Sequence, residues 1–166
     1  MRRPILLVLT LPALIVALLM FRSVFYDWYR VPTGSMAPTI PPGTDGIRVL
    51  KCAYQIRLPF SSVRLLATGS PNRGDIVVFR NPDTGNNGTP FVMRVAAVAG
   101  DTIEMRNEAL YVNGSVVPLE LAPGPTEAGE RTLIGSTRTG TIKHQVLIHP
   151  DRPALRTFEK ITVPPA

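Results

Sequence analysis

The apolar positions of this chain follow two different patterns. From Ile5 to Phe21 they run without a charge, and Thr10 is the one polar residue among those 17. At 1.5 Å rise per residue such a helix reaches roughly 26 Å, enough for a thin or locally thinned bilayer. Pro12 would kink it without breaking it in that setting. Arg2 and Arg3 precede the run, so residues 1–4 are expected in the cytoplasm and the rest of the chain outside. A cleavable leader is the competing reading. Its apolar region usually spans about 7–15 residues and ends at a small-x-small site, which Leu18-Leu19-Met20-Phe21 does not offer. An uncleaved transmembrane anchor over residues 5–21 is the expectation.

Beyond the anchor the apolar residues come in short pieces. Phe21, Phe25, Tyr26, Trp28 and Tyr29 are interleaved with Arg22 and Arg30. Residues 22–30 therefore read as an interfacial aromatic segment, or as core residues of a first strand. Past residue 30 the pattern is that of β structure. Ile47 to Leu50, Asp75 to Phe79, Pro90 to Val98 and Thr102 to Met105 are short runs rich in β-branched residues. Asn113-Gly114 between Ala109–Val112 and Ser115–Val117 predicts a hairpin, because both residues tolerate positive φ. Residues Ala122 to Thr141 are rich in Pro, Gly and Thr, with weak periodicity, and predict a long surface excursion. The expected class is mainly β, an antiparallel domain over residues 31–166 behind one N-terminal transmembrane helix.

Composition narrows the chemistry. The chain has 166 residues, one cysteine (Cys52) and two histidines (His144 and His149). An internal disulfide and a multi-cysteine zinc site are excluded, and little remains for a histidine-rich metal centre. The net charge is +6, and 15 of the 18 basic residues are Arg, spread along the chain. No basic stripe or aromatic-basic platform points to nucleic acid. The mild excess favours anionic lipid head groups, so membrane lipids are expected partners.

The most unusual segment is Val31-Pro-Thr-Gly-Ser-Met-Ala-Pro-Thr-Ile40, followed by Pro41-Pro42-Gly43. Ser35, preceded by Gly34 and flanked by rigid prolines, suits an exposed nucleophile on a fixed turn. Gly34 would let the backbone approach a substrate closely, and Pro38 limits the freedom of the loop. Thr33 could offer a hydroxyl donor beside the Ser35 N–H as an oxyanion hole. A serine in a Gly/Pro/Thr loop, taken alone, is far more often just a turn.

Several ordered segments change that weighting. Val31–Ile40 directly after an anchor resembles the nucleophile box of type I signal peptidases, the Ser–Lys serine peptidases of the membrane. Ile47–Tyr54 resembles the strand that leads to that family's Lys-x-Ala-Tyr. Arg73–Phe79 is similar to its RGDIVVF box, Arg94–Ile103 to its Arg-Val-x-x-x-x-Gly-Asp-Thr-Ile box, and Leu110–Gly114 to its Leu-Tyr-Val-Asn-Gly hairpin. The resemblance implies an antiparallel β catalytic core at the outer membrane surface, with no metal and no organic cofactor. It also implies cleavage of signal peptides from exported preproteins, which would be its partners. Ser35 would attack the scissile carbonyl, with Thr33 and the Ser35 N–H holding the oxyanion. Gly34, Met36, Pro38, Thr39, Arg94, Gly100 and Asp101 occupy supporting motif positions.

Two positions depart from the family pattern. The general-base lysine stands directly before the Arg of the Arg-Val box, and in this chain that residue is Met93. Strand parity places Phe91, Met93 and Val95 on one face, and Val92 and Arg94 on the other. A thioether cannot accept the serine proton, and an unassisted hydroxyl is a weak nucleophile near neutral pH. Loss of general-base assistance costs roughly 10²–10⁴ in rate. Of the three lysines, Lys51 matches a box that is not the base, and Lys143 and Lys160 lie late in the chain. Second, Thr157–Ala166 resembles the lead-in to a last box, Gly-Asp-Asn-Arg, that the sequence does not contain, so a stability deficit is expected. The sequence thus supports a signal-peptidase-type endopeptidase, or a catalytically silent homologue that binds peptides at the membrane. An unrelated exported β-domain behind a cleavable leader is the weaker third reading.

Overall fold

The computed structural model describes residues 3–59, 61, 63–80, 89–125 and 130–165, with side chains from Thr10 onward. The chain forms two compact units, residues 1–30 with 45–70 and residues 31–44 with 71–166.

The first unit opens with helix α1 (Arg3–Phe25), which carries Pro12 inside it. Its described apolar side chains from Leu11 to Phe21 are exposed. Among the described residues no helix is long and apolar enough to cross a membrane, so the anchor over 5–21 remains an expectation. The aromatic segment is divided between two elements. Phe21 and Phe25 stack at 4.5 Å at the end of α1, and Tyr26 begins strand β1 (Tyr26–Val31). Strand β2 (Thr44–Leu50) pairs with β1. Trp28 lies over Gly46, where an added Cβ would stand 2.9 Å from the indole. A 3-10 turn (Lys51–Ala53) then leads to β3 (Gln55–Arg57) and β4 (Arg64–Ala67), a separate two-stranded antiparallel hairpin.

The second unit is built from short antiparallel strands. β5 (Ile76–Arg80) pairs with β6 (Pro90–Arg94), aligning Val77 with Met93 and Phe79 with Phe91. β7 (Thr102–Arg106), β8 (Ala109–Val112) and β9 (Ser115–Val116) form a meander. Asn113 (φ 53) and Gly114 (φ 75) make its β8–β9 turn in the left-handed conformation that the Asn-Gly pair predicted. β10 (Leu119–Pro123), β11 (Leu133–Thr139) and β12 (Ile142–Ile148) form a second meander, and β13 (Phe158–Thr162) returns to pair with β7.

Two expectations need correction. Within the stretch Ala122–Thr141, residues Leu133–Thr139 are not a surface excursion but β11, the central strand of the β10–β11–β12 sheet, while residues 126–129 lie outside the described residues. Its apolar pattern is interrupted by Gly135, which packs where a side chain cannot fit. A Cβ there would lie 2.5 Å from Leu119 Cδ1 and 2.8 Å from Val146 Cγ2. The run Pro90–Val98 is a strand only to Arg94. Beyond Val95 the chain leaves the ladder, and the Val98 N–H turns to the Asp101 carboxylate at 2.8 Å. The buried apolar residues of this unit, among those described, include Val31, Met36, Ile40, Val92 and Val112. Three of these five lie in or beside the serine loop.

Candidate active site

The loop from Pro32 to Gly43 is held from both ends and from below. The Gly43 N–H donates to the Val31 carbonyl at 3.1 Å, closing its base. Inside it, the Ala37 N–H donates to Gly34 and the Ile40 N–H to Met36, each at 2.9 Å. The Thr44 hydroxyl donates to the Pro41 carbonyl at 2.7 Å. Met36 and Ile40 are buried, at 8% and 9% exposure. They act as two apolar pegs, while Thr33, Gly34 and Ser35 stay exposed just before them, between buried Val31 and Met36. The Leu147 N–H of β12 reaches the Ala37 carbonyl at 3.2 Å. The hydroxyls of Thr33 and Ser35 stand 3.4 Å apart. Gly34 has open space around it, since an added Cβ would meet only Pro42, at 3.9 Å. Folding therefore does not demand glycine at position 34.

Met93 is half-buried on β6, opposite Val77, and its strand neighbour Val92 is buried. Among the described residues no basic side chain hydrogen-bonds to Ser35 Oγ, whose one partner is Thr33 Oγ1. A cavity of about 290 Å³ is lined by Pro38 and Thr39 together with Arg94, Lys143 and His144. Met93 is not among its lining residues. A larger cavity of about 660 Å³, walled by apolar residues such as Met105, Leu110, Leu119 and Val146, shares Arg94 and His144 with it.

Arg94 donates to the Gly74 carbonyl at 2.7 Å, and burial lowers its pKa. The His144 imidazole is pushed below its ordinary 6.5 by burial and then by the neighbouring Arg94 cation, against the opposing effect of the Ile142 carbonyl. That carbonyl lies 3.4 Å from Nδ1 and can only accept. The tautomer with its proton on Nδ1 fits, leaving the Nε2 lone pair unused.

Gly100 and Asp101 belong to a polar clamp rather than to the reacting surface. Gly100 takes φ 85, which favours glycine. Its N–H donates to the Val163 carbonyl at 3.0 Å, and the Val163 N–H donates back to the Asp101 carbonyl at 2.8 Å. The buried Asp101 carboxylate accepts from Arg73 Nε at 2.7 Å, from Arg73 Nη2, from the Val98 N–H at 2.8 Å and from Asn113 Nδ2 at 3.0 Å. The Arg73 hydrogen bonds, reinforced by the other two donors, hold its pKa far below the usual carboxylate range. Arg73 directly precedes Gly74, whose carbonyl receives Arg94. The clamp is thus joined through one peptide unit to the arginine that lines the cavity.

The structure brings Thr33, Gly34, Ser35, Met36, Pro38 and Thr39 together on one loop. It places Arg94 in the lining of one cavity with Pro38 and Thr39, and sets Gly100 and Asp101 in the clamp. Asn113 reads in the sequence only as a turn residue, yet its side chain serves Asp101. His144 is also better placed than its sequence context indicates. Its position was hidden because the register of β12 depends on β11, which carries no clear strand pattern. Among the described residues no group of three or more His, Cys, Asp or Glu could hold a metal ion.

These features define a mainly β protein that presents a serine on a pegged, tethered loop. Residues 4–152 match the family described as signal peptidase, peptidase S26, and the chain belongs to that family. It is 35% identical over 155 residues to signal peptidase I of Pseudomonas aeruginosa, covering 92% of this chain and 53% of that protein. It is 34% identical over 137 residues to signal peptidase I of Pseudomonas fluorescens, covering 81% of this chain and 46% of that protein. To signal peptidase I U of Bacillus subtilis it is 32% identical over 118 residues, 70% of this chain and 54% of the relative. The chain spans about half the length of these curated relatives.

Proposed function

We propose that this chain is a membrane-anchored serine endopeptidase of the signal peptidase I type, which cleaves signal peptides from exported preproteins with Ser35 as nucleophile. Residues 5–21 are its single transmembrane span, residues 1–4 are cytoplasmic, and residues 22–30 lie at the interface. The domain from residue 31 onward is extracytoplasmic. The observation that carries the reading is the exposed Ser35 hydroxyl, 3.4 Å from that of Thr33, on a loop held by buried Met36 and Ile40. Attack of Ser35 Oγ on the scissile carbonyl carbon forms an ester and releases the amine of the mature protein, which takes up a proton. Water then hydrolyses the ester and frees the signal peptide. The Ser35 N–H and the Thr33 hydroxyl donate to the oxyanion. Met93 in the general-base position makes this a slow enzyme, by about 10²–10⁴ relative to a base-assisted one.

A second reading is favoured by one specific observation, the absence among the described residues of any base hydrogen-bonded to Ser35. Under it the chain is a catalytically silent homologue that binds signal peptides without turnover. A fluorescent signal peptide with a small-x-small site separates the two. The endopeptidase reading expects binding by anisotropy and slow cleavage, with Ser35→Ala abolishing cleavage and leaving binding in place. Binding with no turnover by the unaltered chain establishes the silent reading instead, and a peptide that neither binds nor is cut overturns both.

A further inference from the structure

We propose that the space between the two meanders is a second ligand site, which takes an apolar peptide end carrying a free C-terminal carboxylate. The site goes beyond the cleavage reading, because Ser35 lines neither of the cavities that form it.

Strand register sets its floor. In the β10–β11–β12 sheet Leu119 lies opposite Thr137, and Thr137 opposite His144. In the next row on the same face Leu121 lies opposite Gly135, and Gly135 opposite Val146. Apart from Gly135, which has no side chain to offer, every member of these rows lines the 660 Å³ cavity. Glu120, between the two leucines, lines a different cavity, as strand alternation requires. The facing wall includes Met105 and Leu110, which are partners across β7 and β8. A volume of about 660 Å³ falls within the roughly 300–1,000 Å³ of small-ligand pockets, so a few residues of peptide fit. Leu119 and Leu121 leave 41% and 54% of their surface open, so the apolar floor is not filled by the chain itself.

One end of this space is cationic. Arg94 and His144 line both cavities, and Lys143 joins them in the smaller one. Arg94 donates to the Gly74 carbonyl, and among the described residues no carboxylate pairs with Arg94 or Lys143. Glu108, the one acidic residue among the described lining of the larger cavity, is paired with Arg156. The Arg94 cation therefore acts on His144 without a counterion between them. A half-buried guanidinium in this state fits a carboxylate, whose two oxygens match its fork.

The edge of β10 selects peptide over a plain alkyl chain. Among the described residues β10 pairs only with β11, and all five of its residues are exposed. Its outer edge keeps main-chain donors and acceptors that an extended peptide can pair with and an alkyl chain cannot. Leu119 and Leu121 then meet alternate apolar side chains of the ligand, while its terminal carboxylate reaches Arg94.

The test uses the full Ser35→Ala chain in phosphatidylcholine nanodiscs, so that no peptide is turned over and cleavage is not needed for the result. The probe is a rhodamine-labelled Gly-Leu-Val-Leu peptide, made as the free acid and as the C-terminal amide. Binding is read by anisotropy against empty nanodiscs. The acid should bind, and the amide about tenfold more weakly. Arg94→Gln should bring the acid down to the level of the amide and leave the amide unchanged. Lys143→Gln, at an exposed position, should move the acid in the same direction and serves should Arg94→Gln misfold. Leu121→Gln, also exposed, should weaken acid and amide alike. Equal affinity of acid and amide overturns the proposal, as does binding unchanged by Leu121→Gln, which would put the peptide elsewhere. Decanoate that displaces the peptide at a lower concentration than the unlabelled acid would assign the site to an alkyl chain. A doubled particle mass with no peptide bound would assign it to a second copy. Either result overturns the proposal.

Discussion

Leu147 donates its backbone N–H to the carbonyl of Ala37 at 3.2 Å, so the loop presenting Ser35 hangs from strand β12 of the second meander. Two buried side chains, Met36 and Ile40, hold the same loop from below. Truncating Met36→Ala should cost about 2–3 kcal/mol, because the cavity is left in a tightly bonded turn. Thermal unfolding in detergent measures the loss. Hydrogen exchange should show the Leu147 amide opening sooner in the variant, since its acceptor is on the loop.

Gly34 and Gly135 should respond oppositely to alanine. At Gly135 the new Cβ meets the Leu119 and Val146 side chains at 2.5 and 2.8 Å, and overpacking of this kind costs about 1–3 kcal/mol. At Gly34 the nearest contact is 3.9 Å, so stability should change by less than about 0.5 kcal/mol. Cleavage lost in Gly34→Ala at unchanged melting temperature would locate the role of that glycine in substrate approach. Wild-type cleavage in that variant would remove it from the site.

Acid should weaken the second unit through Asp101. Its folded pKa lies far below the ordinary 3.8, so the unfolded chain takes up a proton first. The stabilisation is complete above that ordinary value and is lost as pH falls below it. Asp101→Asn should lower stability at neutral pH and flatten the acid limb of a stability–pH curve. An unchanged acid limb would show that the Arg73 pair does not control it.

His144 has the same sign for a different reason. Burial and Arg94 favour its neutral form, so its contribution is present above the ordinary 6.5 and fades as pH drops through it. An NMR titration should give an imidazole pKa below 6.5 that rises in Arg94→Gln. A value at or above 6.5 in the unaltered chain would contradict the placement of His144 beside Arg94.

Much of this was legible in the chain itself. The β8–β9 turn follows from Asn113-Gly114, and β2, β5 and β7 from dense β-branched runs, because local backbone preference is strong there. β11 was not legible, since Gly135 and a series of threonines hide a central strand whose side chains are chosen by packing against Leu119 and Val146. The β3–β4 hairpin was missed for the opposite reason. Its apolar residues do not alternate, because neither face is buried within the described residues. Ser35 and Thr33 stood out through their Pro/Gly setting. The tether from Leu147 and the cavity wall formed by His144 come from residues more than a hundred positions later, and no local pattern carries such a relation.

Met93 can be tested by restoring the amine. Met93→Lys should raise the cleavage rate by about 10²–10⁴ if general-base assistance is what the site lacks. The same substitution should leave peptide affinity nearly unchanged. An unaltered rate would place the deficit elsewhere than at Met93.

The most direct measurement is intact-mass analysis of a purified exported precursor incubated with the vesicle-reconstituted chain, beside the Ser35→Ala form. The account predicts slow appearance of a mature protein beginning just after the small-x-small site, and only with the unaltered chain. Equal processing by Ser35→Ala, or none by the unaltered chain after prolonged incubation, would contradict it.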